Sequence, residues 1–406
     1  MKRWKKLLLI LLALVVLSQI PFAYRRYRLG RLHAAIQQLN SGRTKTEDSS
    51  GLTEFKGVIH VHSSLGGHST GNFADIIAAA QSNQLDFVVM TEHPSPTFNT
   101  AEMTLKGEHG GVLFVNGNEV RTATGDRLLL IPGDARAAED NKLSTQEVLS
   151  RRTEGLALVA YPEEFKSWEA TGYHGIEVYN VYTNARQINP LVMFFDGLWS
   201  YRSYPALLFA TFYEMPIENI NRWEDQLKQG KRLLVTAGND AHANIGLSLN
   251  DSSGKTLVGF KLDPYERSFR LVRLHVFVPQ LSGQLIVPQD EKMLLSAISA
   301  GHCFIGFDLF GDTTGFRYTA HDRDENRMMG DEIKLEDEVR LNVTLPVTGR
   351  IFLLKDGSVI QDKVGVSELE FVAREKGTYY VEVHLPQLPQ PVSDQPWIIS
   401  NPIYVR

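Results

Sequence analysis

Short apolar runs alternate with longer amphipathic stretches between residues 55 and 246, and that alternation sets the expected architecture. The runs 58–61, 87–90, 112–115, 128–131, 156–160, 176–179 and 233–237 read as strands, being brief, rich in Val, Ile and Leu, and bounded by turn residues. Between them, 72–83, 144–152 and 217–230 show helical apolar spacing or a polar start, and read as helices. Strands alternating with helices favour a mostly parallel sheet. So many units favour an α/β barrel, with function at the C-terminal ends of its strands.

Beyond Gly315 the pattern changes. The segments FRYTA, VRLNVTL, RIFLLKDGSVIQ, LEFVA, TYYVEVHL and PWIISNPIYV read as short strands, and Asp356-Gly357 between two apolar runs marks a hairpin. Regular strands with turn residues between them imply a β-sandwich over 311–406. The aromatic segment 189–216 is interrupted by Asp196, Arg202 and Pro205, which leaves no run of bilayer-spanning length. Buried helix packing is its expected role, with a second membrane contact or a pocket wall as alternatives.

The N-terminus opens with Lys2, Arg3, Lys5 and Lys6, runs apolar from Leu7 to Ala23, and closes with Arg25, Arg26, Arg28 and Arg31. That stretch is just long enough to cross a bilayer, and it lacks a small-x-small cleavage motif, so an uncleaved anchor is expected rather than a signal peptide. The expected organisation is a transmembrane anchor with basic flanks over 1–31 and a juxtamembrane helix and linker over 32–54. A metal-site barrel over 55–310 and the β-sandwich accessory domain over 311–406 complete it. Within the linker, Leu32, Ala35, Ile36 and Leu39 give an amphipathic helix, and 41–51 reads as a polar tether. Basic flanks of nearly equal size do not set orientation; the short head before a large domain points to an extracytoplasmic catalytic part.

Removing the anchor changes the charge. The whole chain carries 42 Lys and Arg against 47 Asp and Glu; residues 1–31 hold eight of the basic residues and no acidic one, leaving 34 against 47, a formal net of −13. Nucleic-acid binders show a basic footprint, so nucleic acid is set aside and a small molecule is the expected partner. Oligomeric state leaves no mark in the pattern. A lone cysteine, Cys303, excludes an intramolecular disulfide and a thiolate zinc cluster, and its apolar setting marks a packing residue.

The chemistry concentrates where the apolar runs end. His60, His62 and His68 follow the first run, Glu92 and His93 the second, Glu119 the third, and Asp240 and His242 the last. Alternation along a strand places His60 with His62, and Asp240 with His242, on common faces. Imidazoles mixed with carboxylates suit Zn, Mn or Fe. The remaining histidines, at 33, 109, 174, 275, 302, 321 and 384, lack such placement and read as structural.

Taken in order, the HxH of His60 and His62, then His68, the Glu92-His93 pair, the GxE ending at Glu119 and the DxH of Asp240 and His242 resemble the PHP (polymerase and histidinol phosphatase) family of metal-dependent hydrolases. The tail PWIISNPIYVR resembles that of anchored or exported bacterial members with a C-terminal β-domain. The resemblance implies a distorted barrel of parallel strands with divalent metal ions at its mouth. By position, His60, His62, Glu119 and Asp240 hold one ion and His68, His93 and His242 another. Where the family has further histidines, this chain has Tyr161 in VAYP and Asp126 in TGDRLLL, so one or two ions are expected, three at the outside.

Roles for neighbouring residues follow from position. Glu92 is the candidate general base or the partner that orients a ligand histidine, and Arg121 or Arg127 the candidate stabiliser of an anionic transition state. Tyr161 is a hydrogen-bond donor to substrate or a packing residue closing an unused metal site. Glu177 and Asn180, in GIEVYN, either line the pocket or satisfy backbone groups at a strand end. Three functions fit: a metal-dependent phosphoesterase acting on a small phosphate ester, a carboxylic ester, carbamate or amide hydrolase on the same scaffold, or a non-catalytic metal-binding protein held at a membrane.

Overall fold

The computed structural model describes residues 3–44, 51–186, 189–244, 246–250, 256–261, 263–279 and 289–406. Residues 45–50 of the expected tether lie outside them. Each expected strand before residue 246 forms, as Leu52–Val61, Phe87–Met90, Val112–Val115, Arg127–Ile131, Leu156–Val159, Gly175–Asn180 and Leu234–Gly238. The helices Phe73–Ser82 and Thr145–Ser150 each start at a capping box, Asn72 with Asp75 and Ser144 with Glu147, which ties down two orphan N–H groups at each start.

These strands do not make one continuous, mostly parallel ladder, and a closed barrel is not shown. They fall into two sheets. One runs Asn118–Arg121, Arg127–Ile131, Leu156–Val159, Gly175–Asn180, Leu234–Gly238 and is parallel only in its last two pairings. The other holds Leu52–Val61, Phe87–Met90 and Val112–Val115 in parallel. At the seams between them Val61 bridges to Ala241 and Glu92 to Asn118, and backbone bonds run from Asn239 N–H to the Ile59 carbonyl (3.0 Å), from His62 N–H to the Ala241 carbonyl (3.1 Å) and from Glu119 N–H to the Glu92 carbonyl (3.3 Å). Both seams run beside the residues at 60–62, 92–93, 119 and 240–242.

On its other edge Leu52–Val61 pairs antiparallel with Arg273–Pro279, which pairs with Cys303–Gly306, which in turn pairs with Pro396–Ser400. The sheet therefore continues across residue 310 into a large C-terminal β region. Its longest strand, Val339–Lys355, shifts register between Thr344 and Gly349, so its first half pairs with Arg317–His321 and its second with Gly377–His384. The Asp356-Gly357 hairpin forms as expected, with both residues at positive φ. Asn401 reaches back from the chain's end: its Oδ1 accepts from Val235 N–H (2.8 Å), and its Nδ2 donates to the carbonyls of Val235 (3.2 Å) and Cys303 (2.8 Å). That amide stands in for a neighbouring strand at Val235, ahead of the point where Asn239 N–H bonds to the Ile59 carbonyl. Cys303 is fully buried there, as a packing residue should be.

One helix, Arg3–Ser41, runs through both the apolar stretch and the expected juxtamembrane helix. Its apolar window is exposed throughout and is long enough to cross a membrane, whereas Leu29, Leu32 and Ile36 are buried against the main core. The aromatic segment 189–216 divides in two: Leu207, Leu208, Phe209 and Ala210 of Ala206–Phe212 pack in the main core as expected, whereas in Pro190–Ser200, which lies beside the long helix, Leu191 and Leu198 are exposed and Asp196 and Ser200 are buried.

Candidate metal centre

His60 and His62 converge, but not through simple alternation. Pairing with Phe87–Met90 shifts register between Val58 and Val61, and His60 takes φ 66°, a left-handed conformation rare for a residue with a side chain. Asp240 does the same past the end of its strand (φ 45°), as does Ala243 (φ 50°). Among the described residues only five non-glycines have positive φ, and three sit here, where the surrounding sheet ends hold strained backbone in place.

The result is a compact donor set. His60 Nε2 lies 3.3 Å from Glu119 Oε2 and 3.5 Å from Asp240 Oδ1; His62 Nε2 lies 3.3 Å and 3.4 Å from the same two oxygens. Ligands about 2.1 Å from one tetrahedral centre stand about 3.4 Å apart, so this spacing is that of atoms sharing a cation. Neither ring nitrogen of buried His62 has a hydrogen-bond partner, nor has Asp240 Oδ1. Buried polar atoms left unpaired are costly, and a bound cation removes that cost. A second group, His62, His93 and His242, also brings ligand nitrogens close together. His68 stays outside both: it is exposed, its ring edge-on to His93 at 5.1 Å.

Residues behind the donors fix their aim. Glu177 holds His60 Nδ1 between its two oxygens (3.1 and 2.9 Å), and Asn180 Nδ2 donates to Glu177 Oε1 (2.8 Å) and Asp240 Oδ2 (3.2 Å). Gly238 makes this possible, since a Cβ there would stand 2.0 Å from Glu177 Oε2. Tyr161 donates its hydroxyl to Asp240 Oδ2 (2.6 Å), and Arg127 lies over the Tyr161 ring at 4.6 Å with Nη1 on Glu119 Oε1 (3.2 Å). Tyr182 packs 4.9 Å from the His242 ring and escaped sequence reasoning, since nothing about a tyrosine in a helix start marks it.

Two other expectations, for Glu92 and Arg121, are corrected by these contacts, and Asp126 proves to be occupied elsewhere. Glu92 touches no ligand histidine; its carboxylate accepts from Ser63 N–H (3.1 Å), Ser63 Oγ (2.5 Å) and Thr104 Oγ1 (3.0 Å), tying down the loop after His62. Asp126 is likewise occupied by Thr145 Oγ1 (2.6 Å), Lys166 N–H (2.7 Å) and Ser167 Oγ (2.5 Å), and reaches no histidine. Arg121 is exposed, its backbone N–H bonded to Asn141 Oδ1, so Arg127 is the arginine at the site.

Burial of so many charges displaces their proton affinities. Burial lowers His60 and His62, yet the carboxylates more than reverse it: Glu177 and Asp240 raise His60 well above the ordinary range, and Asp240 and Glu119 raise His62 to about 9. Burial and the charge of His62 push His93 and His242 down to about 4, so both are neutral imidazoles at physiological pH. Burial raises Tyr161 far beyond ordinary phenol values, with Asp240 and Glu119 adding to it, so it remains a donor. Three buried carboxylates thus demand positive charge in their midst, which a dication supplies.

No family model and no curated protein matches the chain. Among solved structures it is similar to a two-domain protein from Bacteroides vulgatus containing a predicted PHP-like metal-dependent phosphoesterase, at 14% identity and a TM-score of 0.40. The match covers 89% of this chain and 98% of that one.

Proposed function

We propose that the chain is a metal-dependent hydrolase acting on a small phosphate ester, its ion held by His60, His62, Glu119 and Asp240, and that Arg3–Ser41 anchors it in a membrane with the catalytic part outside the cytoplasm. The observation that carries the reading is the convergence of those four donors, with the imidazole of His62 and Asp240 Oδ1 buried and unpaired. Bound there, Zn, Mn or Fe would supply Lewis acidity: a water pKa lowered towards neutrality and charge against the attacked oxygen. The chain's own residues do the rest. Glu177 fixes the His60 ring, while Tyr161 and Asn180 hold the second oxygen of Asp240 and leave Oδ1 to face the donors. His93 and His242 stay neutral imidazoles at physiological pH, the form in which a ring nitrogen can hold a metal ion. Arg127, partly exposed beside Glu119, puts a cation at the mouth, where an anionic phosphoryl group gains most.

The test is direct. Full-length protein in detergent is assayed for bound metal by elemental analysis and for hydrolysis of phosphate mono- and diesters beside aryl esters and carbamates. Metal-dependent phosphate release, abolished by chelation and in His62→Ala and Asp240→Ala, is expected. Turnover of carbamates or aryl esters alone moves the substrate to the carbonyl class. Protein that holds no metal and cleaves nothing with added Mn or Zn is the non-catalytic case and ends the hydrolase reading. A reporter fused after Arg406 reads the sidedness.

A further inference from the structure

Helix Pro190–Ser200 wears its polarity inside out. Asp196 is 4% exposed and Ser200 1%, whereas Leu191 is 65%, Phe194 41% and Leu198 68% exposed. Positions 191, 194 and 198 follow the three-four spacing that shares one helix face. In a helix packed on a water-soluble protein the leucines face the core and the aspartate faces solvent. Here the reverse holds, and the polar side meets the N-terminal helix: Arg25 grips both Asp196 oxygens (2.8, 2.9 and 2.5 Å), Trp199 Nε1 donates to Gln19 Oε1 (3.0 Å), and Arg26 donates to the Trp199 carbonyl and to Ser203 Oγ (2.9 Å). The Phe195 and Phe22 rings pack at a tilt, their centroids 4.9 Å apart.

We propose that Pro190–Ser200 is a second bilayer contact, lying beside the end of the anchor with Leu191, Phe194 and Leu198 among the acyl chains near the headgroups. This rests on the reading of Arg3–Ser41 as an anchor. Its position is fixed by its partners, since Gln19 to Arg26 form the last turns of the apolar stretch, where lipid gives way to water. The helix is held against the end of the anchor, where Leu17, Ile20 and Tyr24 are themselves 58%, 57% and 59% exposed. The one acidic side chain of the helix is neutralised in place by Arg25, as a group at membrane depth must be. Trp199, Tyr24 and Tyr27 supply the aromatic residues that favour the interface. A helix of this kind lies in the plane of the surface and does not span it.

The full chain is reconstituted into liposomes with an environment-sensitive fluorophore on Leu191→Cys or Leu198→Cys. Leu12→Cys in the anchor and Val364→Cys, equally exposed but on the C-terminal hairpin, are the comparisons. Native Cys303 is fully buried, and the unsubstituted chain reports background labelling. Expected are blue-shifted emission and loss of fluorescence with brominated acyl chains at 12, 191 and 198, and neither at 364. Quenching at 12 with water-like, unquenched labels at 191 and 198 overturns the proposal while leaving the anchor intact. Loss of quenching at 12 as well overturns the anchor reading and the proposal with it. A blue-shifted label at 198 that bromolipid never quenches marks a contact between copies and also overturns it, as does equal quenching at 364.

Discussion

His275 is buried away from the metal centre, and replacing it by glutamine tests the charge reasoning where no cation intervenes. Its Nδ1 sits 2.8 Å from Glu54 Oε1 and its Nε2 3.3 Å from Asp308 Oδ1, with the ring stacked 4.6 Å from Phe304. Arg317 and Arg273 complete the cluster on Glu54 and Asp308. Burial alone would lower the imidazole, yet Asp308 and Glu54 lift it to about 9 from an ordinary 6.5. At 1.36 kcal/mol per unit, that shift is worth about 3 kcal/mol of folding free energy. The folded value lies above the unfolded one, so the contribution is complete below about pH 6.5 and lost as pH rises through 9. Burial would raise Glu54 and Asp308, but His275 and the arginines hold both below the usual carboxylate range, so their share is lost on acidification instead. Thermal unfolding of the full chain in detergent at pH 6 and pH 9 should therefore show the His275→Gln variant about 3 kcal/mol less stable at pH 6, because Glu54 and Asp308 keep their burial and their arginines but lose the imidazolium between them. The gap should narrow by pH 9. Equal stability of the two proteins at pH 6, or a gap that does not change with pH, would refute the reasoning.

Tyr161→Phe removes one donor from Asp240 while Asn180 keeps its own, and metal affinity measured by titration should fall about tenfold, the lower end for outer partners of a ligand. Gly238→Ala drives a methyl group into the Glu177 carboxylate and frees the His60 ring; a loss of metal affinity of about 10- to 100-fold is expected, together with a fall in melting temperature from the displaced buried carboxylate. Asn401→Ala leaves Val235 N–H and the Val235 and Cys303 carbonyls unpaired, at about 1 to 3 kcal/mol for each group left without a partner, and calorimetry should show a clear fall in unfolding temperature.

Much of this was legible in sequence because it is local. Runs such as Phe87–Met90 and Val112–Val115 are fully buried strands, and their composition says so. Donor identity was legible too, since His60, His62, Glu119 and Asp240 follow strand-like runs. The route by which they meet was not. His60 and Asp240 turn inward through left-handed backbone, which depends on strand pairing and has no signature at a histidine. Glu92 is hard to place for a similar reason: an acidic residue beside a histidine looks like a partner for it, while the bonds from Ser63 and Thr104 come from loops whose course only the fold sets. Pro190–Ser200 was misjudged because apolar content alone does not say whether the surroundings are protein or lipid.

The reach of Asn401 ties two distant parts of the polypeptide together. One amide from the C-terminal β region braces Val235, on the strand that leads to Asp240, and Cys303, on the strand across from it. A substitution in that region is therefore felt beneath the donors, although it touches none of them.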